Sequence, residues 1–123
     1  MGEPRSHHAV EAKSWDRAAD LAAAMGAEAF SDVPQGLNAL AWFLSDDADA
    51  PARCHELALK LATKACEITE WSDWSVLDTY AQAAFRTGDR ESAVRWQTKA
   101  VELAPEETAP VLKERLEAYS PKG

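Results

Sequence analysis

An all-α fold is predicted by three observations. The 123 residues include 25 alanines against five glycines, and alanine loses no side-chain entropy in a helix. Apolar residues recur at three- and four-residue spacing in six successive segments. No segment alternates with period two for long enough to make a strand.

Each segment has its own start and stop. Ser14, followed by Trp15 and Asp16, opens a first helix that runs to about Phe30, with Trp15, Ala18, Ala19, Ala22 and Met25 as its stripe. Residues 1–13 read as a mobile tail. Ser31-Asp32-Val33-Pro34 interrupts, and Asp32 is placed to cap a second helix from Pro34 to Leu44 with Leu37, Leu40, Ala41 and Leu44 on one face. After the polar loop Ser45–Asp49, Pro51 fits the first turn of a third helix to Thr69, striped by Cys54, Ala58, Leu61, Ala65 and Ile68.

Ser72 is expected to cap a fourth helix, Asp73 to Thr87, with Leu77, Tyr80, Ala81, Ala84 and Phe85 inward. Gly88-Asp89 stops it and starts the next: glycine takes the left-handed closing position, and aspartate accepts from the free amides. The fifth helix, Arg90 to Ala104, turns Ala93, Trp96, Ala100 and Leu103 inward and ends at Pro105. A sixth, Ala109–Tyr119, sets Leu112, Leu116 and Tyr119 against a polar face, leaving 120–123 as a tail. A chain this long holds one domain, placed at 14–119, and buries roughly two-thirds of its extended surface.

Composition excludes some functions. The net charge is −8. Binding nucleic acid requires clustered Lys and Arg to neutralise phosphates, so a nucleic-acid partner is not expected. No stretch approaches the roughly 18 apolar residues of a membrane span, and the first residues contain no apolar signal-peptide run. Met1-Gly2 resembles a myristoylation start, but Ser6 follows Arg5 in a proline-containing polar tail and the motif is short enough to match often by chance. Cys54 and Cys66 are twelve residues apart, hence about 120° apart around one helix, and read as reduced, buried thiols of a cytoplasmic protein. Residues 1–56 carry ten acids and four bases (−6), and 57–123 carry eleven and nine (−2). This steers a basic partner toward the N-terminal half, or simply maintains solubility.

The chain also repeats itself. Leu77, Tyr80-Ala81 and Ala84, followed by Gly88-Asp89, Ala93, Ala100 and Pro105, have the spacing of a tetratricopeptide (TPR) repeat, which this segment resembles. Gln97 stands where that family has an aromatic, with Trp96 beside it. An earlier copy has Leu37, Leu40-Ala41 and Leu44, then Ala58, Ala62 and Ala65. Ala58 and Ala65 fall 35 residues before Ala93 and Ala100. Five extra residues lie in its Ser45–Arg53 loop, and Glu70 replaces the closing proline. The repeats span about 34–70 and 73–106, with 109–119 as a C-terminal cap, because Glu114 and Arg115 stand where a third repeat needs an apolar-small pair. The first helix is a worn second helix of a preceding repeat or an N-terminal seal.

The resemblance implies a right-handed superhelical stack of antiparallel helix hairpins whose first helices line a concave groove for a protein or peptide partner. About three repeats are usually wanted, which leaves room for the chain being one part of a longer protein or assembly. The groove would be lined by Gln35, Asn38, Trp42 and Ser45, then Ser75, Asp78, Gln82, Phe85 and Arg86. Trp42 and Phe85 are its aromatic anchors, unless they only fill gaps between helices. Some chaperone-binding members grip a C-terminal carboxylate with Lys and Asn; Asn38 and Trp42 occupy those places here, so that clamp is absent. Trp71 and Trp74 flank the junction between hairpins, where they pack the interface or form an apolar patch for self-association.

Catalytic and metal motifs are weak. His55-Glu56 begins a zinc-protease motif, but the second histidine position is Leu59, so His55 is read as a helix-surface residue. His7-His8 lies in the tail. Asp46, Asp47 and Asp49 lack the glycine of a calcium loop and read as solvated carboxylates, Asp49 helping to cap the next helix. No metal, cofactor or catalytic residue is expected. Three functions follow in order: a non-catalytic binding module, a self-associating assembly domain, and, last, an enzyme centred on His55.

Overall fold

The computed structural model describes residues 3–28 and 31–120, with side chains described from Trp15 onward. Its helices are α1 (Glu3–Ala27), α2 (Pro34–Asp46), α3 (Ala52–Ile68), α4 (Trp74–Arg86), α5 (Arg90–Leu103) and α6 (Ala109–Tyr119). Among the described residues there is no strand. From α2 to α6 the bounds fall within two residues of those expected, because proline, glycine and aspartate punctuate them.

Helix α1 differs. It begins at Glu3 rather than Ser14, so most of the expected tail is helical. Pro4 does not prevent this, since a proline in the first turn loses no hydrogen bond, and Ala9, Glu11, Ala12 and Lys13 favour helix. Residues 1–2 and 121–123 of the expected tails lie outside the described residues, as do the side chains of His7 and His8.

Three expected caps are also corrected. Val33, not Asp32, is the N-cap of α2 and makes no side-chain cap bond, because Pro34 already supplies a preset first turn. Asp73, not Ser72, caps α4 by accepting from Ser75 N at 2.9 Å, while Ser72 Oγ donates back to Thr69 O at 2.8 Å. Pro51 is the N-cap of α3, without help from Asp49, whose own N–H donates to Asp47 Oδ1. The Gly88-Asp89 expectation holds: Gly88 has φ +97°, and Asp89 accepts from Ser92 N at 3.1 Å.

Alternate helices run parallel. Asn38 bonds Ser75 and Ser45 bonds Gln82, each pair 37 residues apart, so α2 and α4 advance together. Asp78 and Arg115, again 37 apart, align α4 with α6 in the same sense. Helix α3 packs on both α2 and α4, α5 on both α4 and α6, and α1 on α2 and α3.

Alanine occupies the close crossings. Ala19, Ala41, Ala58, Ala62, Ala65, Ala81, Ala93 and Ala100 are fully buried, and Leu37, Leu44, Leu77 and Leu112 are the large side chains sealed among them. A Cβ on Gly26 would come within 2.5 Å of Leu61 Cδ2, so glycine lets α1 approach α3. Ile68 and Leu103, expected inside, are 40% and 44% exposed. Each is the last residue of its helix, where the chain turns away from the core.

The turn between α3 and α4 is left-handed at two non-glycine residues, Glu70 (φ +58°) and Trp71 (φ +57°). Trp71 N donates to Cys66 O at 2.8 Å, closing α3. The Trp71 ring lies 5.1 Å from Tyr80, edge-on, and 4.7 Å from Trp96. These aromatic contacts hold a backbone that is otherwise disfavoured.

Candidate functional site

A cleft of about 590 Å³ opens across α2, α4 and α6. Helix α2 contributes Asn38 and Trp42, α4 contributes Trp74 and Asp78, and α6 contributes Val111 and Arg115. Val111 is 48% exposed, an apolar side chain left open beside two indoles.

The polar floor is a connected network. Gln97, fully buried on α5, donates through Nε2 to Asp78 Oδ1 at 2.9 Å and to Leu112 O at 3.1 Å. Arg115 Nη1 donates to the other carboxylate oxygen, Asp78 Oδ2, at 2.7 Å. The Arg115 guanidinium also lies 4.9 Å above the Trp42 ring. Burial raises the Asp78 pKa above the usual carboxylate value, more than the bonds from Gln97 and Arg115 lower it. Asn38 Nδ2 donates to Ser75 Oγ at 3.2 Å, while its Oδ1 is buried with no partner among the described residues.

The expected groove residues divide. Asn38, Trp42, Ser75 and Asp78 line the cleft. Gln82, Phe85 and Arg86 are not among its lining residues. Gln82 is buried and donates to Ser45 Oγ at 2.9 Å, which in turn donates to Ala41 O at 2.8 Å. Arg86 donates from Nε to Ser45 O at 2.8 Å and from Nη2 to Asp46 O at 3.0 Å, closing the carboxyl end of α2. The Phe85 ring packs 4.7 Å from Tyr119, with the Arg90 guanidinium 5.8 Å above it. Their positions one and two turns further along α4 carry them past the cleft and onto the ends of α2 and α6. Trp71 and Trp74 part likewise: Trp71 is packed against Trp96, and Trp74 lines the cleft.

The polar network's members from α5 and α6, Gln97 and Arg115, were not among the residues expected at the site. Gln97 stands at an aromatic position of the resembling pattern, and Arg115 was taken only as the break that ends the repeats. The signal that finds Arg115 is register. It follows Asp78 by the same 37 residues that separate the hydrogen-bonded pairs of α2 and α4.

His55 is a further correction. It is only 6% exposed, with Nε2 2.9 Å from Asp47 O. The longer α2–α3 loop folds over the first turn of α3 and covers it. Among the described residues no group of three or more His, Cys, Asp and Glu side chains could hold a metal ion. Cys54 and Cys66 are unpaired and buried, and burial pushes the Cys66 thiol up to about 12. No helix among the described residues is long and apolar enough to cross a membrane.

No family model matches the chain, and neither does any curated protein or solved structure.

Proposed function

We propose that the chain is a non-catalytic protein- or peptide-binding module, built as TPR-like antiparallel hairpins in a right-handed superhelix, with the cleft across α2, α4 and α6 as its recognition surface. The cleft carries this reading. Its volume is within the range of ligand sites, and it sets Trp42, Trp74 and Val111 beside a few fixed polar groups. Aromatic anchors surrounded by oriented hydrogen-bonding groups are the usual make-up of a binding hot spot. The 37-residue register of α2, α4 and α6 is what stacked hairpins with equivalent first helices produce. Two unpaired, buried thiols suit a reducing, cytoplasmic setting.

Trp42→Ala tests the reading. Peptides selected on the wild-type chain from a random display library should lose about thirtyfold in affinity, the scale of an aromatic hot spot. Helicity should be unchanged. Phe85→Ala, outside the cleft, should lower the melting temperature and leave peptide affinity alone. A folded Trp42→Ala variant that binds every selected peptide as well as wild type would overturn the assignment.

A further inference from the structure

We propose that the cleft recognises an arginine side chain of its partner peptide, and that Arg115 is an internal occupant which this side chain replaces. The proposal rests on the peptide-binding reading and names what the peptide must carry.

Asp78 presents its two oxygens differently. Oδ1 faces the interior and is held by Gln97; Oδ2 is bonded by Arg115 at 2.7 Å. The Trp42 ring lies under the same guanidinium, 4.9 Å from centroid to Cζ. A carboxylate at the edge and an indole at the face select a flat cation that bonds in its plane while stacking. That describes guanidinium better than ammonium.

The anion is fixed and its cation is not. The Asp78 side chain is 9% exposed, whereas that of Arg115 is 31% exposed. Arg115 thus approaches from the solvent side on a flexible stem, whereas Asp78 is enclosed. A buried carboxylate left without a cation is costly, so the side chain that replaces Arg115 must itself bring a positive charge. An arginine arriving along the cleft also brings five N–H donors. Asn38, which lines the same cleft, keeps a buried Oδ1 without a partner among the described residues, an acceptor that a small side-chain turn would bring to the guanidinium. Glu107 lines the same cleft, and the chain carries a net charge of −8, so a basic peptide is attracted before it docks.

The test uses the intact chain with N-acetyl-arginine methylamide and its neutral isostere, N-acetyl-citrulline methylamide. Both are titrated against wild type and Arg115→Gln while the indole resonances of Trp42 are followed by NMR. Arg115→Gln should bind the arginine probe at least about tenfold more tightly than wild type, the scale of one charge-assisted hydrogen bond. The citrulline probe should not saturate, and adding Asp78→Asn should abolish the difference. A folded Arg115→Gln that responds equally to both probes, or to neither, overturns the proposal.

The wild-type chain supplies an arm that does not depend on that variant folding. Among display-selected peptides whose binding needs Trp42, arginine should be enriched, and exchanging it for citrulline should cost at least about tenfold in affinity. Trp42-dependent peptides without arginine overturn the proposal and leave the peptide-binding reading standing. Finding no Trp42-dependent peptide overturns both.

Discussion

The row α2, α4, α6 has two junctions, joined at the same spacing by different chemistry. Between α2 and α4 the side-chain pairs at that spacing are neutral, Asn38 to Ser75 and Gln82 to Ser45. Arg86 of α4 adds charged donors to the Ser45 and Asp46 carbonyls at the end of α2. Between α4 and α6 the tie is ionic, Arg115 to Asp78, with Gln97 of α5 reaching the same carboxylate. Neutral side-chain bonds contribute modestly and respond little to pH or salt. A desolvated charge pair makes a junction sensitive to pH and costly to break on one side. The α2–α4 junction, which buries no carboxylate among the described residues, is therefore suited to hold geometry, and the α4–α6 junction, built on an ion pair, to change it.

Truncation should separate the two most strongly. Gln97→Ala leaves Asp78 Oδ1 and Leu112 O without their buried donor and opens a cavity, so it should cost about 3 kcal/mol. Gln82→Ala also opens a cavity, but it strands no carboxylate and leaves Ser45 Oγ bonded to Ala41 O, so it should cost about 2 kcal/mol. Urea unfolding of the two variants measures both, and equal losses would erase the distinction between the junctions.

A smaller effect follows from the titration of Asp78. Its pKa in the folded state lies above the ordinary value because of burial, so the native chain takes up the proton more readily than the unfolded chain. This group therefore weakens the fold at neutral pH, and the penalty is relieved as pH falls through its raised pKa toward the unfolded value. The stability of wild type minus that of Asp78→Asn should rise steadily on acidification across this range. The same difference for Gln82→Ala should stay flat. Urea unfolding at a series of pH values gives both curves.

The smallest effect lies outside both junctions. Glu70→Gly relieves a left-handed backbone at φ +58° and should stabilise the fold by up to about 1 kcal/mol. Thermal unfolding should show the gain unchanged in a Gln97→Ala background, because the turn and the α4–α6 tie share no partner.

Much of the framework was legible in the sequence because its signals are local. Pro34, Gly88-Asp89 and Pro105 act on their own neighbours, and the helices they bound came out within two residues. Asn38, Trp42 and Asp78 could be placed because the resemblance assigns one face of the first helix of each hairpin to a groove, and on α2 and α4 these residues of that face line the cleft. Arg86 and Gln82 were misplaced because their partners are the end of α2 and Ser45, and nothing near them in sequence reveals how far α4 slides along α2. Gln97 was opaque for a related reason. A buried glutamine needs partners that its own neighbourhood in sequence does not reveal: the two acceptors of Gln97 Nε2 lie 19 and 15 residues away, and its Oε1 has no partner among the described residues. Helix α1 was cut short because Pro4 and a polar opening read as a tail, although proline is tolerated in a first turn.

The stacking of Trp71 on Trp96 at 4.7 Å gives the chain a built-in optical gauge. Two indoles at that separation couple electronically, and the pair joins the α3–α4 turn to α5. Near-ultraviolet circular dichroism of this pair tracks the join, whereas NMR of the Trp42 indole tracks the cleft. The Trp71–Trp96 pair borders a core cluster drawn from all six helices, and Trp42 stands on the cleft side of α2. Denaturation followed by the two signals should give superimposed curves if the helices melt as one unit. A gap between the curves would mark the place where the stack comes apart first.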